Sequence, residues 1–287
     1  MQCPPPFEWP ADVCAPRAMR DPCDLRTTRE TREFIYELKF YVAGDDAEAL
    51  MHWARSHLSA DPHGAGPHGD SYRVSSIYFD TASHDVLARQ GSFARCKYRV
   101  RRYGDSELVY LERKTRGACR VFKRRSALAV AALPALLATQ PARGWSGYWF
   151  HRRLLARRLA AVNRVEYQRI ARIGQSSHWP LRLTLDQDLT AWPARELAFA
   201  RELAAEGPAG GVRLSGERLI LELKFGQAMP AVFKRLIREF SPRLSGISKY
   251  RLAAQALGLG APLAGPSPTG AASSRESPLV PLVPVVY

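Results

Sequence analysis

Between Lys97 and Arg125 the chain carries eleven Lys or Arg residues against three acids, Asp105, Glu107 and Glu112, a net +8 within a whole-chain charge of +15. Lys97, Arg99 and Arg101 occupy alternate positions, as do Tyr110, Glu112 and Lys114, and then Val121, Lys123 and Arg125. Period two puts each set on one face of a β-strand. Tyr98, Val100, Val109, Leu111 and Phe122 lie between them and supply an apolar face for a core. Like charges directly opposite on neighbouring strands are destabilising, so this face calls for an anion to offset the repulsion, or for full solvation as an ordinary basic face. A second pattern occurs twice, as Tyr-Glu-Leu-Lys-Phe at 36–40 and Leu-Glu-Leu-Lys-Phe at 221–225. Each copy sets a carboxylate and an ammonium on one strand face, suited to charge pairing or to a divalent ion bridging to phosphate oxygens. His63 and His68 tempt a metal reading, but the Gly-Pro-rich stretch 61–70 makes a poor preformed site.

The elements that must hold these residues follow from periodicity and turn signals. Tyr-Gly-Asp-Ser at 103–106 and Arg-Gly-Ala at 116–118 divide the basic stretch into a three-stranded antiparallel meander. Arg32–Val42 alternates as a strand, and Gly44-Asp45-Asp46 supplies a stop and an N-cap for a helix to about Leu58. Tyr72–Asp80 is strand-like, and Asp85–Gln90 reads as one short helical turn. Ala127–Ala138 reads as a core helix, and Trp145–Ala160 as an amphipathic helix carrying Arg152, Arg153, Arg157 and Arg158. Strands resume at Arg164–Arg172, Leu181–Leu189 and Arg218–Phe225, with helices at Ala228–Phe240 and Lys249–Leu257; residues 190–216 are ambiguous. Seven or eight mostly antiparallel strands with polar inward alternation predict an α+β fold. The expected architecture is a closed antiparallel β-barrel of about eight strands, with a charged lumen and helices packed outside.

Composition bounds the rest. Residues 1–30 hold four Arg and five acids, and residues 258–287 hold one Arg and one Glu, so the charge excess belongs to the middle. The two ends read as a disordered leader and a Pro/Gly/Ser-rich disordered tail, flanking one domain over residues 31–257. The apolar end of the tail, PLVPLVPVVY, has the composition of a docking peptide. A pI near 10.0 points to an anionic partner: nucleic acid, phosphometabolite or acidic membrane surface. Five Cys with no CxxC spacing read as reduced thiols in a cytoplasmic setting. No secretory signal is visible at the start. The longest apolar run, Ala127–Ala138, contains Pro134 and falls well short of the about 20 residues a membrane span needs.

Several short motifs recur in a fixed order. They are the two Glu-Leu-Lys-Phe copies, Arg99-x-Arg101-x-Tyr103-Gly104, Glu112-Arg113-Lys114-Thr115, Tyr167-Gln168-Arg169, Leu185-Asp186-x-Asp188-Leu189 and Ser248-Lys249-Tyr250. With them the chain, over roughly Glu33 to Leu257, resembles the VTC domain. This is the catalytic domain of the vacuolar transporter chaperone polyphosphate polymerase, in the CYTH/triphosphate tunnel superfamily. The resemblance implies a tunnel that binds ATP, polyphosphate or inorganic triphosphate, and transfer of the γ-phosphate of ATP to a growing chain with Mn²⁺ or Mg²⁺. Carried over by motif, it implies catalytic roles for Lys39, Arg99, Arg101, Lys114, Arg169, Arg182 and Lys249. Lys123, Tyr167, Glu37 and Glu112 would bind substrate, and Glu222 would hold the metal. Removing Arg99 or Arg101 is expected to abolish triphosphate binding with little loss of stability, because it relieves repulsion. One departure stands out: the hydrolases and cyclases of the superfamily carry Glu-x-Glu-x-Lys on the first strand, and here the first Glu position is Ile35. The chain shows no membrane span, so membrane association, peripheral to the inner face, would need a separate partner protein. Two other readings share the same charge: a triphosphatase of the same fold, and a non-catalytic polyanion or RNA-binding module with Tyr98, Tyr103 and Tyr110 interleaved. DNA is not an expected partner.

Overall fold

The computed structural model describes residues 36–116, 121–176, 179–194, 196–199, 210–214, 216, 218–226 and 228–260. The expected leader, the tail beyond Gly260, Ile35 and the second turn of the meander lie outside the described residues. Eleven strands of the described residues form one sheet: β1 (Tyr36–Val42), β2 (Ser59–Ala60), β3 (Ser71–Asp80), β4 (Cys96–Tyr103), β5 (Leu108–Arg116), β6 (Val121–Ala129), β7 (Ala160–Ser176), β8 (Trp179–Pro193), β9 (Val212–Arg213), β10 (Leu219–Phe225) and β11 (Arg243–Leu244). Among the described residues five α-helices join them: α1 (Ala47–His57), α2 (Asp85–Ala88), α3 (Tyr148–Ala156), α4 (Ala231–Phe240) and α5 (Lys249–Ala256). The fold is α+β, and the basic stretch is the expected antiparallel meander β4-β5-β6.

The sheet is not the closed barrel that the polar alternation predicts. Its path runs β11-β1-β10-β8-β7-β3-β4-β5-β6, and among the described residues no backbone ladder joins β6 to β1. The sheet curls instead: Lys114 Nζ on β5 lies 3.3 Å from Glu37 Oε2 on β1, although five strands separate β5 from β1 along the path. Long charged side chains meet across the gap where closure would require strands at about 4.8 Å backbone spacing. The concave face is therefore lined by charge and remains open along one side.

Two apolar clusters hold the curl. Tyr98, Val100, Val109 and Leu111 pack with Trp149, Phe150 and Leu154 of α3. Phe40, Leu221, Leu223, Leu183 and Leu185 pack with Leu50 and Trp53 of α1 and with Phe233 and Leu236 of α4. Helix α4 forms because Phe233, Leu236, Ile237 and Phe240 recur at helical spacing. It stops at Ser241, whose φ of 41° is left-handed, ahead of Pro242, which cannot continue it.

Three element readings need correction. Ala127–Ala129 finish strand β6, and Val130–Leu137 forms 3-10 turns rather than an α-helix, Pro134 having no N–H for an α-helical bond. The basic helix is shorter than expected: α3 ends at Ala156, Arg158 turns left-handed at φ 51°, and β7 starts at Ala160. Asp46 stands at the cap position of α1 but makes no side-chain cap hydrogen bond. No described helix is long and apolar enough to cross a membrane.

Candidate active site

Strand register arranges the inner face of the meander in rows. Lys97, Lys114 and Lys123 stand directly opposite one another on β4, β5 and β6; the next row is Arg99, Glu112 and Arg125, and the next begins with Arg101 and Tyr110. Glu112, 3% exposed, is the carboxylate that three cations share. Arg99 Nε lies 2.5 Å from its Oε2, with Arg125 Nε at 3.5 Å and Lys123 Nζ at 3.6 Å from its Oε1. Burial alone would raise the Glu112 pKa, but Arg99, Lys123, Arg101 and Arg125 together hold it well below the usual carboxylate range. Arg125 also covers the Tyr110 ring at 3.6 Å. Arg101, 6% exposed, donates from Nε to Ser76 Oγ at 3.0 Å on the neighbouring β3. Beside it, Tyr103 is pushed up by burial yet pulled down to about 7 by Arg101, Arg125 and Lys123 against the opposing charge of Glu112.

The repeated Glu-Leu-Lys-Phe motif resolves into one antiparallel unit. The two copies pair with each other in register, Leu38 opposite Leu223, so that Lys39 faces Glu222 and Glu37 faces Lys224. Lys39 Nζ lies 2.8 Å from Glu37 and 3.4 Å from Glu222, and Lys224 Nζ lies 2.9 Å from Glu222. Each acid thus faces a lysine across the ladder and another two positions along its own strand. Burial and the neighbouring Glu222 raise the Glu37 pKa, but Lys39, Lys114 and Lys224 outweigh them and bring it to about 2. Burial lowers the Lys39 pKa, and the two carboxylates more than reverse this.

A third cluster joins strand to helix. Asp186 on β8 is fully buried and receives Arg169 of β7 at 2.6 and 2.8 Å in a two-pronged bond, and Lys249 Nζ at 2.6 Å. Burial raises the Asp186 pKa, and Arg169 and Lys249 bring it down to about 2. A bulge in β7–β8 between Glu166 and Gln168, with Asp188 at φ 54° on the facing strand, breaks the regular pairing around Tyr167. Arg169 and Lys249 sit over the Tyr167 ring at 5.3 and 4.7 Å, while its hydroxyl is buried without a hydrogen-bond partner. Thr184 Oγ1, opposite Glu222, is buried and unpartnered too. Such buried unsatisfied atoms on a concave polar face are places where a ligand or water completes the bonding. Arg182 lies at the rim, 2.6 Å from Asp61 and 3.0 Å from Tyr72 Oη.

The start of α5 is fixed by three consecutive residues, each tied to a different strand. Ser248 Oγ accepts from Lys97 Nζ at 2.8 Å on β4, Lys249 reaches Asp186 on β8, and the Tyr250 hydroxyl donates to Asp80 at the end of β3. Asp80 also accepts the backbone N–H groups of Thr81, Val86 and Leu87 at 2.7–2.9 Å, so Lys249 stands on a rigid support.

All twelve residues singled out from sequence, Glu37, Lys39, Arg99, Arg101, Glu112, Lys114, Lys123, Tyr167, Arg169, Arg182, Glu222 and Lys249, lie in these clusters. Sequence reasoning missed Lys97, Arg125 and Lys224 as site residues, although the same period-two alternation points to them. Asp61 and Ser76 carry no local signal, since their partners are remote in the chain. In these clusters nine Lys and Arg side chains pair with five carboxylates (Glu37, Asp61, Glu112, Asp186 and Glu222), and two more cations, Lys97 and Arg101, bond serine hydroxyls. Among the described residues no three of His, Cys, Asp and Glu come together as a preformed metal cage.

Comparison with known proteins places the chain. No curated protein sequence matches it. Among solved structures, similar chains include a provisionally described adenylate cyclase of Bacillus halodurans, at 13% identity and TM-score 0.45, covering 75% of this chain and 94% of that one. The Hippeastrum protein HpAC1, described as having a dominant triphosphatase activity, matches at 16% identity and TM-score 0.43, over 80% of this chain and 99% of that one. PH1819 of Pyrococcus horikoshii matches at 12% identity and TM-score 0.42, over 77% and 99%. The VTC domain family profile matches residues 34–257, most of the sequence and every strand and helix of the site. This chain belongs to the VTC domain family.

Proposed function

We propose that the chain is a metal-dependent phosphotransferase that binds ATP or polyphosphate along its basic concave face and transfers the γ-phosphoryl group to a polyphosphate chain. The observation that carries this reading is convergence: Arg101 and Arg169, 6% and 7% exposed, are recessed and aimed into one curled face. Phosphoryl transfer asks the protein for positioning and charge neutralisation more than for covalent chemistry. Arg99, Arg101 and Arg169 would grip phosphate oxygens through planar guanidinium groups, and Lys39, Lys114, Lys123 and Lys249 would add point charges. The Tyr167 hydroxyl would donate to a phosphate oxygen, and Arg182 would act at the rim. Glu112 would orient Arg99 by its ion pair.

The residues present fit a divalent ion of the Mn²⁺ or Mg²⁺ type. Such ions are held by one or two carboxylates together with substrate phosphates, and Glu222 and Glu37 flank Lys39 side by side on the same face. Glu222, with Glu37 beside it, would hold the ion, which would neutralise charge on the phosphate oxygens.

The test is incubation of the purified chain with ATP and Mn²⁺, resolving polyphosphate on a stained gel and assaying free phosphate in parallel. A ladder of long chains is expected. Free phosphate without chains would replace the polymerase with a triphosphatase, and neither product would leave a polyanion-binding module. Arg101→Ala is the informative variant because its Nε bonds a serine, not a carboxylate. Product formation should fall roughly a hundredfold or more while the protein remains folded.

A further inference from the structure

The outer face of the meander is basic as well, and it uses none of the residues of the concave site. Helix α3 covers this face: Trp149 Nε1 donates to Ser126 Oγ on β6 at 2.9 Å, and the Arg124 guanidinium lies 4.4 Å from the Trp149 ring. Arg113 on β5 stands directly opposite Arg124 on β6. Helix α3 and the turn after it add Arg152, Arg153, Arg157 and Arg158. Several of these gather around Tyr98: burial and Cys96 raise its pKa, and Arg157, Arg113 and Arg153 pull against them. Among the described residues, none of Arg113, Arg152, Arg153, Arg157 and Arg158 is paired with a carboxylate. Like charges opposite one another on neighbouring strands are destabilising, so this face also calls for something anionic.

Apolar side chains project among the arginines. The described residues leave four large hydrophobic side chains exposed, and three belong to this side. Phe122, 58% exposed, shares the outer face of β6 with Arg124. Leu155, 39% exposed, lies one turn along α3 from Arg152. Leu137, 67% exposed, ends the 3-10 turns, and the carbonyl of the next residue, Ala138, accepts from His151 Nε2 of α3 at 2.9 Å.

We propose that this outer face, formed by α3 and the outer sides of β5 and β6, docks the protein on an anionic lipid surface, with the arginines on headgroup phosphates and Phe122, Leu137 and Leu155 at the acyl boundary. Attraction to anionic lipids combined with burial of apolar tips is how surface-lying helices bind membranes. Arginine suits the headgroup layer because its guanidinium is weakly hydrated and grips phosphate through two N–H groups. Aromatic rings hold some of these groups in place, Arg152 over Tyr148 at 5.9 Å and Arg157 over Phe93 at 4.9 Å. Single-stranded nucleic acid would instead stack its bases on exposed rings, and here Tyr98, Trp149 and Phe150 are buried. The inference does not rest on the phosphotransferase reading. No described helix crosses a membrane, and this face provides attachment without a separate partner protein. Alternate residues of the same strands point the other way, so docking leaves the concave face clear.

Flotation of the full chain with phosphatidylcholine vesicles, with and without phosphatidylserine, tests this. The wild type should float with the phosphatidylserine vesicles and stay unbound with phosphatidylcholine alone. A protein of pI near 10.0 is drawn to any polyanion, so the deciding variants leave the charge unchanged. Phe122→Gln and Leu155→Gln should each weaken vesicle binding roughly fivefold, and Arg152→Gln should weaken it by about as much. These positions are exposed, and the thermal midpoints should stay at the wild-type value. Arg101→Ala, on the concave face, should float like the wild type. A wild type that does not float, glutamine variants at Phe122 and Leu155 that float undiminished, or a loss in Arg101→Ala as large as in Arg152→Gln would overturn the lipid-docking face. Capture by single-stranded RNA that depends on Phe122 and Arg152, without flotation, would overturn it too and make the face a nucleic-acid interface.

Discussion

Glu112 shows how single residues on this face do two jobs. Three cations converge on one buried carboxylate, and removing one side of a buried ion pair typically costs about 3–5 kcal/mol because charge is left uncompensated. Glu112→Gln is therefore expected to lower stability by about 3 kcal/mol, and saturating tripolyphosphate should restore most of it by supplying the lost negative charge. Urea unfolding with and without the anion checks both. A loss below about 1 kcal/mol, or no recovery with anion, would mean that solvent already screens Arg99, Lys123 and Arg125. The same geometry revises the expectation that Arg99→Ala leaves stability intact. Arg99 lies 2.5 Å from Glu112, so deleting it relieves repulsion among cations and at the same time strips an acid of its nearest partner. Alternation along the strand reveals that Arg99 and Glu112 point inward; it does not reveal that they neutralise each other, because register between strands is not written in either strand alone.

The elements were legible where one face of a strand is charged and the other apolar, since period two then has a single reading. This holds for both copies of Glu-Leu-Lys-Phe and for the meander except at Phe122, which the alternation assigns to the core face and which is 58% exposed. It fails for Ala127–Ala138, whose apolar residues satisfy strand end, 3-10 turn and helix alike, and for the stretch 61–70. That stretch reads as a Gly-Pro-rich loop notable only for its His63 and His68, yet its end residues are clamps: Asp61 reaches Arg182, and Asp70 holds Arg55 at 3.0 Å and Arg172 at 3.2 Å. The paired motif also tests how far identical sequence implies identical role. Leu223 is fully buried in the cluster with α1 and α4, whereas Leu38, its partner in the register, is only half-buried. Leu223→Ala should cost about 2–5 kcal/mol, and Leu38→Ala clearly less. Thermal unfolding of the two variants decides it. Equal losses would mean that the two copies are buried equivalently, contrary to this packing.

At the scale of the whole molecule, the concave face makes stability depend on pH at both ends. On the acid side, Asp186 has a folded pKa of about 2 against an ordinary 3.8, with Glu112 displaced in the same direction. The unfolded chain binds these protons first, so the contribution is fully present above the ordinary carboxylate range and is lost as pH falls towards 2. The Asp186 share is roughly 2 kcal/mol. On the alkaline side, Lys97 and Tyr103 both have folded pKa values of about 7, below their usual 10.5 and 10.0. Here too the unfolded state holds more protons, so stability climbs as pH rises from about 7 towards 10. The two residues act for opposite reasons: Lys97 sheds a charge that its cationic neighbours repel, and Tyr103 acquires one that they attract. A bound polyanion cancels both, since it re-protonates Lys97 and repels the phenolate. Urea midpoints for the chain alone should therefore rise between neutral and alkaline pH, and the rise should vanish with long-chain polyphosphate present, while the acid loss persists in either case. An alkaline rise that survives saturating anion would place Lys97 and Tyr103 out of reach of the ligand, and the basic face would then serve the fold without serving a phosphate chain.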